Sequence, residues 1–418
     1  MLLKLCNTVS VGQRVWKGGA HKMNEKQTRL YECLFVTGMT RQASLSYKTV
    51  TDLLVHFPGL DQLTGASGRD LAEIVRGPQE KISRLSTLLK DERWRQDLQK
   101  QAIQADQQGI WAVFCLDADY PERLRDINGK PLILYCRGDP ERYAEIFSRP
   151  FSVTVIGTRN PTAYGKTVAE KITAELAESR VVIVSGLARG IDAIAHRTAL
   201  QKRGLTLAVL GNGPDLTYPP ENTDLMEKII KAGLIVSEHP PGTVPLRQHF
   251  PARNRILSGL ADAVAVIEAS SRSGTLITAG YAGEQGRDVY AVPGNILSPF
   301  SQGCNQLIRE GAGVLESAAD ILWRLPGGGL QARIEQWLHN HPDDIESGPA
   351  RNRTTDSSQA GRLCQLLSGG SLSQMEIASQ MEMSMPDTAI LLTQMELVGS
   401  LHCEKGRYSL TERQIFCI

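Results

Sequence analysis

The segment VTVIGTRNPTAYGKT, residues 153–167, decides how the rest of the chain is read. A β-branched run stops at Gly157, and a helix-like pattern begins a few residues later. The segment ends in Gly-Lys-Thr, the ending of a Walker phosphate loop. A Walker loop spaces its residues as G-x4-G-K-[ST], because its backbone amides must wrap one phosphate closely. Here seven residues separate Gly157 from Gly165, and Pro161 stands among them. The spacing argues against a nucleotide-hydrolysing loop and assigns Lys166 and Thr167 to the first turn of an ordinary helix. What remains is Gly157-Thr158-Arg159, a strand-end turn with an arginine at its tip. It reads as an anion contact or as a solvated loop arginine.

Comparable strands recur downstream: VVIVSG (181–186), TLAVLG (206–211), LIVSE (234–238), AVAVIEA (263–269) and DVYAVP (288–293). Helix-like stretches such as VAEKITAELAES, DAIAHRTALQKRG and TDLMEKIIKAG separate them. Short apolar strands alternating with helices predict a doubly wound, mostly parallel sheet over about 150–325. Ligands in that architecture bind where strand C-termini meet loops.

Four of those loops carry chemistry. In SGLARGIDAIAH (185–196), Gly190 permits a tight turn, and Asp192 suits the N-cap of the next helix. His196 stands four residues on, so the two are expected on one helix face, as a structural pair rather than a catalytic one. LGNGPDLTYPPEN (210–222) has Gly211-x-Gly213 but lacks the third glycine of a dinucleotide fingerprint; Tyr218 reads as a wall of a binding face or as core. HFPARNRILSG (249–259) groups Phe250 with Arg253, Asn254 and Arg255, where arginines can hold phosphates and the ring can stack on a base. The bland reading is a helix start with a basic face. In EASSRSGTLITAG (268–280), Ser273-Gly274-Thr275 opens a helix, whose amides and hydroxyls suit a phosphate. Together these strand ends point to a phosphate-rich ligand more firmly than any one alone.

Around this centre the chain changes character. Residues 1–23 read as a loose extension without the apolar core of a signal peptide, and Met23 offers an alternative start. Residues 24–105 read as all-helical, punctuated by Pro58-Gly59 and Gly77-Pro78. IWAVFCLDADYPERLRDINGKPLILYCRG (110–138) reads as two short strands leading into the next domain, taken as 106–325. Residues 326–360 form a polar linker. Residues 361–418 show helical periodicity and then the strand-like SLHCEKGRYSL, the plan of a winged helix. Its expected recognition helix, MPDTAILLTQMELVG (385–399), carries no lysine or arginine, which leaves a protein–protein role open.

A chain of 418 residues implies two or three domains. Its 46 basic and 45 acidic residues announce no global field, so a nucleic-acid partner must be held by a local patch. The eight cysteines stand singly, without a CxxC pair, which points away from zinc and toward reduced thiols in the cytoplasm. No run of about 18 apolar residues predicts a membrane span.

The motifs in order resemble the DprA (Smf) family of bacterial DNA-processing proteins. The resemblance rests on Gly157-x-Arg159 with Tyr164-Gly165, Ser185-Gly186-x-Ala188-x-Gly190-Ile191-Asp192, Phe250-Pro251-x-Arg253-Asn254-Arg255, Ser273-Gly274-Thr275 with Thr278-Ala279, Gly286-Arg287 with Val292-Pro293-Gly294, and Gly303-Cys304-Asn305 with Leu307-Ile308. It covers about 110–325 and extends to both flanks. It implies an extended Rossmann-like sheet flanked by an N-terminal helical (SAM-like) domain and a C-terminal winged-helix domain. It further implies a non-enzymatic protein, without cofactor or metal, that protects single-stranded DNA and loads the RecA recombinase during natural transformation. In family terms the DNA pocket comprises Gly157, Arg159, Gly186, Phe250, Arg253, Asn254, Arg255, Ser273, Gly274 and Thr275. Ile308 and Val314 fall in the segment that the family uses to form a homodimer. Two other readings compete. One is a nucleotide phosphoribohydrolase-like enzyme with Glu268 as its carboxylate. The other is a transcription factor acting through the C-terminal unit alone.

Overall fold

The computed structural model describes residues 23–322 and, toward the C-terminus, 359–367, 370–381, 401–404 and 407–410 with isolated positions between them. The expected extension (apart from Met23) and nearly all of the expected linker lie outside the described residues. The chain forms two compact units that divide between residues 336 and 337.

In the first unit six helices come first: Glu25–Gln42, Tyr47–His56, Leu60–Gly65, Gly68–Ile74, Gln79–Lys90 and Glu92–Gln107. Local chemistry sets their starts. Asn24 and Gln27 form a reciprocal capping box, as do Ser67 and Asp70, and the Asp91 carboxylate accepts the amides of Arg93 and Trp94. Pro58-Gly59 and Gly77-Pro78 fall in the breaks.

Nine strands follow: β1 (Ile110–Phe114), β2 (Ile133–Gly138), β3 (Ser152–Ile156), β4 (Val182–Ser185), β5 (Thr206–Leu210), β6 (Leu234–Ser237), β7 (Ala263–Val266), β8 (Asp288–Ala291) and β9 (Gly313–Val314). They form one sheet in the order β1-β2-β6-β5-β4-β3-β7-β8-β9. β3 to β9 run parallel, and β3, β4, β5, β6 and β7 are buried throughout, which is why they read as continuous apolar runs. β1 and β2 join the same sheet antiparallel, with β2 pairing to β6 from Tyr135↔Ser237 to Gly138↔Leu234. The pair expected as a lead-in thus covers an edge of the main sheet and satisfies the outward amides of β6. The winding direction reverses between β3 and β7: β4, β5 and β6 extend one way, β8 and β9 the other.

The core crosses the boundary expected near residue 105. One cluster runs from Leu30, Phe35 and Met39 in the first helix, through Tyr135 on β2, to Val184, Val209 and Val236 and on to Ile256 and Leu257. The Tyr135 hydroxyl lies 2.6 Å from Thr37 Oγ1, and Arg29 pairs with Asp117. A second cluster, with Val153, Val155, Ile172, Leu176 and Ala265, packs the helices Ala163–Glu178 and Ile191–Gln201 onto β3, β4 and β7.

The second unit has helices Gln359–Leu367 and Gln374–Met381 and a three-stranded antiparallel sheet of β10 (Leu372–Ser373), β11 (Leu401–Glu404) and β12 (Arg407–Leu410). Leu363, Leu367, Ile377, Met381, Leu392 and Leu401 form its core. The expected hairpin is present as β11 and β12; the expected recognition helix lies largely outside the described residues.

Candidate nucleic-acid interface

An open cleft of about 690 Å³ lies at the switch between β3 and β7. Gly157, Thr158 and Arg159 line it from the end of β3, Ala188 and Asp192 from beyond β4, and Tyr218 from beyond β5. Arg247, Phe250, Arg253 and Asn254 come from the crossover between β6 and β7, and Ser273, Gly274 and Thr275 from beyond β7. Binding at a reversal of strand order is the general rule for open α/β sheets.

The arginine turn is anchored from beneath. The Thr158 amide donates to the Glu268 carbonyl (2.7 Å), and the Ile191 amide donates to the Thr158 carbonyl (3.2 Å). The Glu268 carboxylate is buried and accepts both the Thr162 amide (2.9 Å) and the Thr162 hydroxyl (2.7 Å). Thr162 in turn caps the helix Ala163–Glu178 through the Gly165 amide (3.1 Å). Gly165-Lys166-Thr167 therefore lies in a helical first turn. Gly190 adopts φ +75°, and a Cβ there would lie 2.3 Å from the Thr158 carbonyl, so only glycine lets the two turns touch. Arg159 is exposed, belongs to none of the ion pairs among the described residues, and places its guanidinium carbon 5.9 Å from the Phe250 ring centroid.

The helix His249–Gly259 sorts its basic residues by facing. Arg253 points inward; it is buried, and its Nη1 donates to the carbonyls of Gly186 (3.0 Å) and Val209. Burial pulls its pKa down to about 10, against the opposing pull of the Asp192 charge. Arg255 faces away from the cleft. It holds the Glu238 carboxylate through both terminal nitrogens (2.9 and 2.6 Å) and the Gly129 carbonyl through Nε (2.7 Å). It is absent from the cleft lining, because two helical positions from Arg253 turn the side chain to another face. Gly186 also stays behind the lining and acts through its backbone, accepting from Arg253 and donating to Asp192 (3.1 Å).

The expected Asp192–His196 pair does not form. Gly190 holds the N-cap position, and the Asp192 carboxylate reaches back to the Gly186 amide. Burial raises the Asp192 pKa, with the Arg253 charge opposing. His196 Nδ1 lies 2.7 Å from the Thr206 hydroxyl, which itself donates to the Ile183 carbonyl (2.9 Å), so Nδ1 carries the proton. Burial pushes the His196 pKa down to about 3. The helix Thr275–Glu284 also differs from expectation. The Thr275 amide is taken by Ser273 Oγ (3.2 Å), and the Leu276 and Ile277 amides by the carbonyls of Ser273 and Gly274. The hydroxyls of Ser273 and Thr275, 2.9 Å apart, are what this turn presents to the cleft.

Tyr218, left open between wall and core, is a wall: it is 40% exposed and its ring centroid is 5.4 Å from that of Phe250. Arg247 lines the cleft unannounced by any motif; its nearness to HFPARNR was the one signal available. Ile308 and Val314 lie far along the chain from these loops, Ile308 half-buried on the helix Gln302–Arg309 and Val314 exposed on the edge strand β9.

Comparison with known proteins bears on this geometry. Residues 111–326 match the family model for DNA recombination-mediator protein A. The DNA processing protein DprA of Bacillus subtilis is 42% identical over 225 residues, 54% of this chain and 74% of that protein. Its counterpart in Streptococcus pneumoniae is 46% identical over 207 residues, 50% of this chain and 71% of that protein. The X-ray structure of DprA from Streptococcus pneumoniae superposes with a TM-score of 0.59 at 37% identity, covering 71% of this chain and 97% of that one. With the family model matching more than half of the chain and a relative 42% identical covered over 74% of its length, the chain belongs to the DNA recombination-mediator protein A family.

Proposed function

We propose that this protein binds single-stranded DNA in the switch-point cleft, protects it, and loads the RecA recombinase onto it during natural transformation in the bacterial cytoplasm. One observation carries the reading: two exposed arginines outside any ion pair among the described residues, Arg159 and Arg247, stand in one open cleft with two aromatic faces, Tyr218 and Phe250. Phosphate grips beside stacking surfaces, with little that could read base edges, suit a single strand of any sequence. The RecA partner rests on the family resemblance. A homodimer is supported by the apolar side chains exposed along 296–314, namely Ile296, Leu297, Phe300 and Val314.

The enzyme reading loses its acid. Both Glu268 oxygens are held by Thr162, and the residue does not line the cleft. Asp192, the one carboxylate in the lining, is held by the Gly186 amide. Binding of a labelled single-stranded oligonucleotide and of its duplex, with and without ATP, tests the proposal. The expected result is tight, salt-sensitive, ATP-independent preference for the single strand. No preference, or a requirement for ATP, overturns it.

A further inference from the structure

Arg253 is only 5% exposed, yet it lines the cleft at its floor. Its Nε has no hydrogen-bond partner, and it belongs to none of the ion pairs among the described residues. Asp192 acts on it through space while its own carboxylate takes the Gly186 amide. A buried guanidinium short of a counter-ion and of one acceptor is costly, and an anion reaching the floor supplies both.

The lining contains three arginines, Arg159, Arg247 and Arg253, against one acid, so it carries a net excess of two positive charges. An internal phosphodiester brings one negative charge. A terminal phosphomonoester brings nearly two at neutral pH and three acceptor oxygens. The open cleft, about 690 Å³, is of the size that takes one small ligand.

Resting on the single-strand reading above, we infer that the cleft floor seats the terminal phosphomonoester of a DNA strand, with Arg253 as its deepest contact. The Thr275 hydroxyl, which accepts from Ser273 and keeps its own proton, is available to the same phosphate, and the Tyr218 and Phe250 rings to the terminal base. Strand ends are then held in preference to strand interiors.

The test uses the full chain and three oligonucleotides of one sequence: 5′-phosphorylated, 3′-phosphorylated, and hydroxyl at both ends. One phosphorylated oligonucleotide is expected to bind about tenfold more tightly than the hydroxyl one, and the arm that gains identifies the end. Between pH 7.5 and 5.5 that gain shrinks, because the second phosphate ionisation lies near pH 6. The charged groups facing the phosphate are the three arginines and Asp192. The arginines stay charged; protonation of Asp192 would favour the phosphorylated strands as the pH falls, so Asp192→Asn is measured alongside, and in that variant the ratio of affinities reports the phosphate alone. In Arg253→Gln the ratio falls to about one, whatever the overall affinity. Equal, salt-sensitive binding of all three by the unaltered protein overturns the end seat and leaves the single-strand reading standing. Absence of binding by any of them overturns both. A gain that persists at pH 5.5 in Asp192→Asn overturns the dianion basis, and one that persists in Arg253→Gln removes that residue from the seat.

Discussion

Arg159 and Arg255 belong to one expected pocket, and the structure gives them opposite physics. Arg159 is free at the cleft rim, whereas Arg255 clamps Glu238 and the 129 turn. Substitution should therefore separate them. Arg159→Ala is expected to weaken single-strand binding and lower the slope of affinity against salt by about one, with no change in thermal unfolding. Arg255→Ala leaves the mostly buried Glu238 unpaired and is expected to cost about 2 kcal/mol of stability, read by urea unfolding, with the salt slope unchanged. His196 gives the molecule a pH dependence. Its folded pKa is near 3, while an unfolded histidine titrates near 6.5, so below that pH the unfolded chain binds the extra proton. The His196 contribution is present above about pH 6.5 and is lost as pH falls, by about 2 kcal/mol at pH 5. Urea unfolding at pH 7.5 and pH 5 checks this, and His196→Gln should flatten the difference.

At the scale of elements, the parallel strands were legible because each is an apolar run bounded by small or turn residues. Each of the six begins within one residue of its expected start. The two-residue β9 has no pattern to detect; it exists because Gly313 and Val314 meet Tyr290 and Ala291. The place of β1 and β2 in the main sheet depends on a partner strand about a hundred residues away, which local periodicity does not encode. The cleft followed the same division. Strand-end glycines, hydroxyls and Phe250 announced it, but the inward Arg253 and the outward Arg255 look alike in sequence. Asp192, His196 and Glu268 each found a partner that spacing could not name: Gly186, Thr206 and Thr162. The last contact makes a prediction for the turn as a whole. Glu268→Gln keeps the volume but sets an amide against the Thr162 donors. It is expected to cost about 1–3 kcal/mol and to weaken single-strand binding with it, measured by thermal unfolding and oligonucleotide affinity on the same sample.

At the scale of the whole molecule, the two units invite different treatment. Every residue of the cleft belongs to the first unit, so deletion of 361–418 is expected to leave most single-strand affinity in place. Complete loss of binding would place the activity in the second unit and overturn its assignment to the cleft. The opening helices do not detach so cleanly, because Leu30, Phe35 and Met39 share a core with residues of β2, β4, β5 and β6. That shared core has a consequence for how the chain is born. Translation delivers Leu30 first and Val236 more than two hundred residues later. At roughly 5–20 residues per second, the ribosome leaves the early helices waiting about 10–40 s for the surface that finishes them. Through that interval an apolar, half-made face hangs from the nascent chain, the kind of surface that holdase chaperones exist to cover.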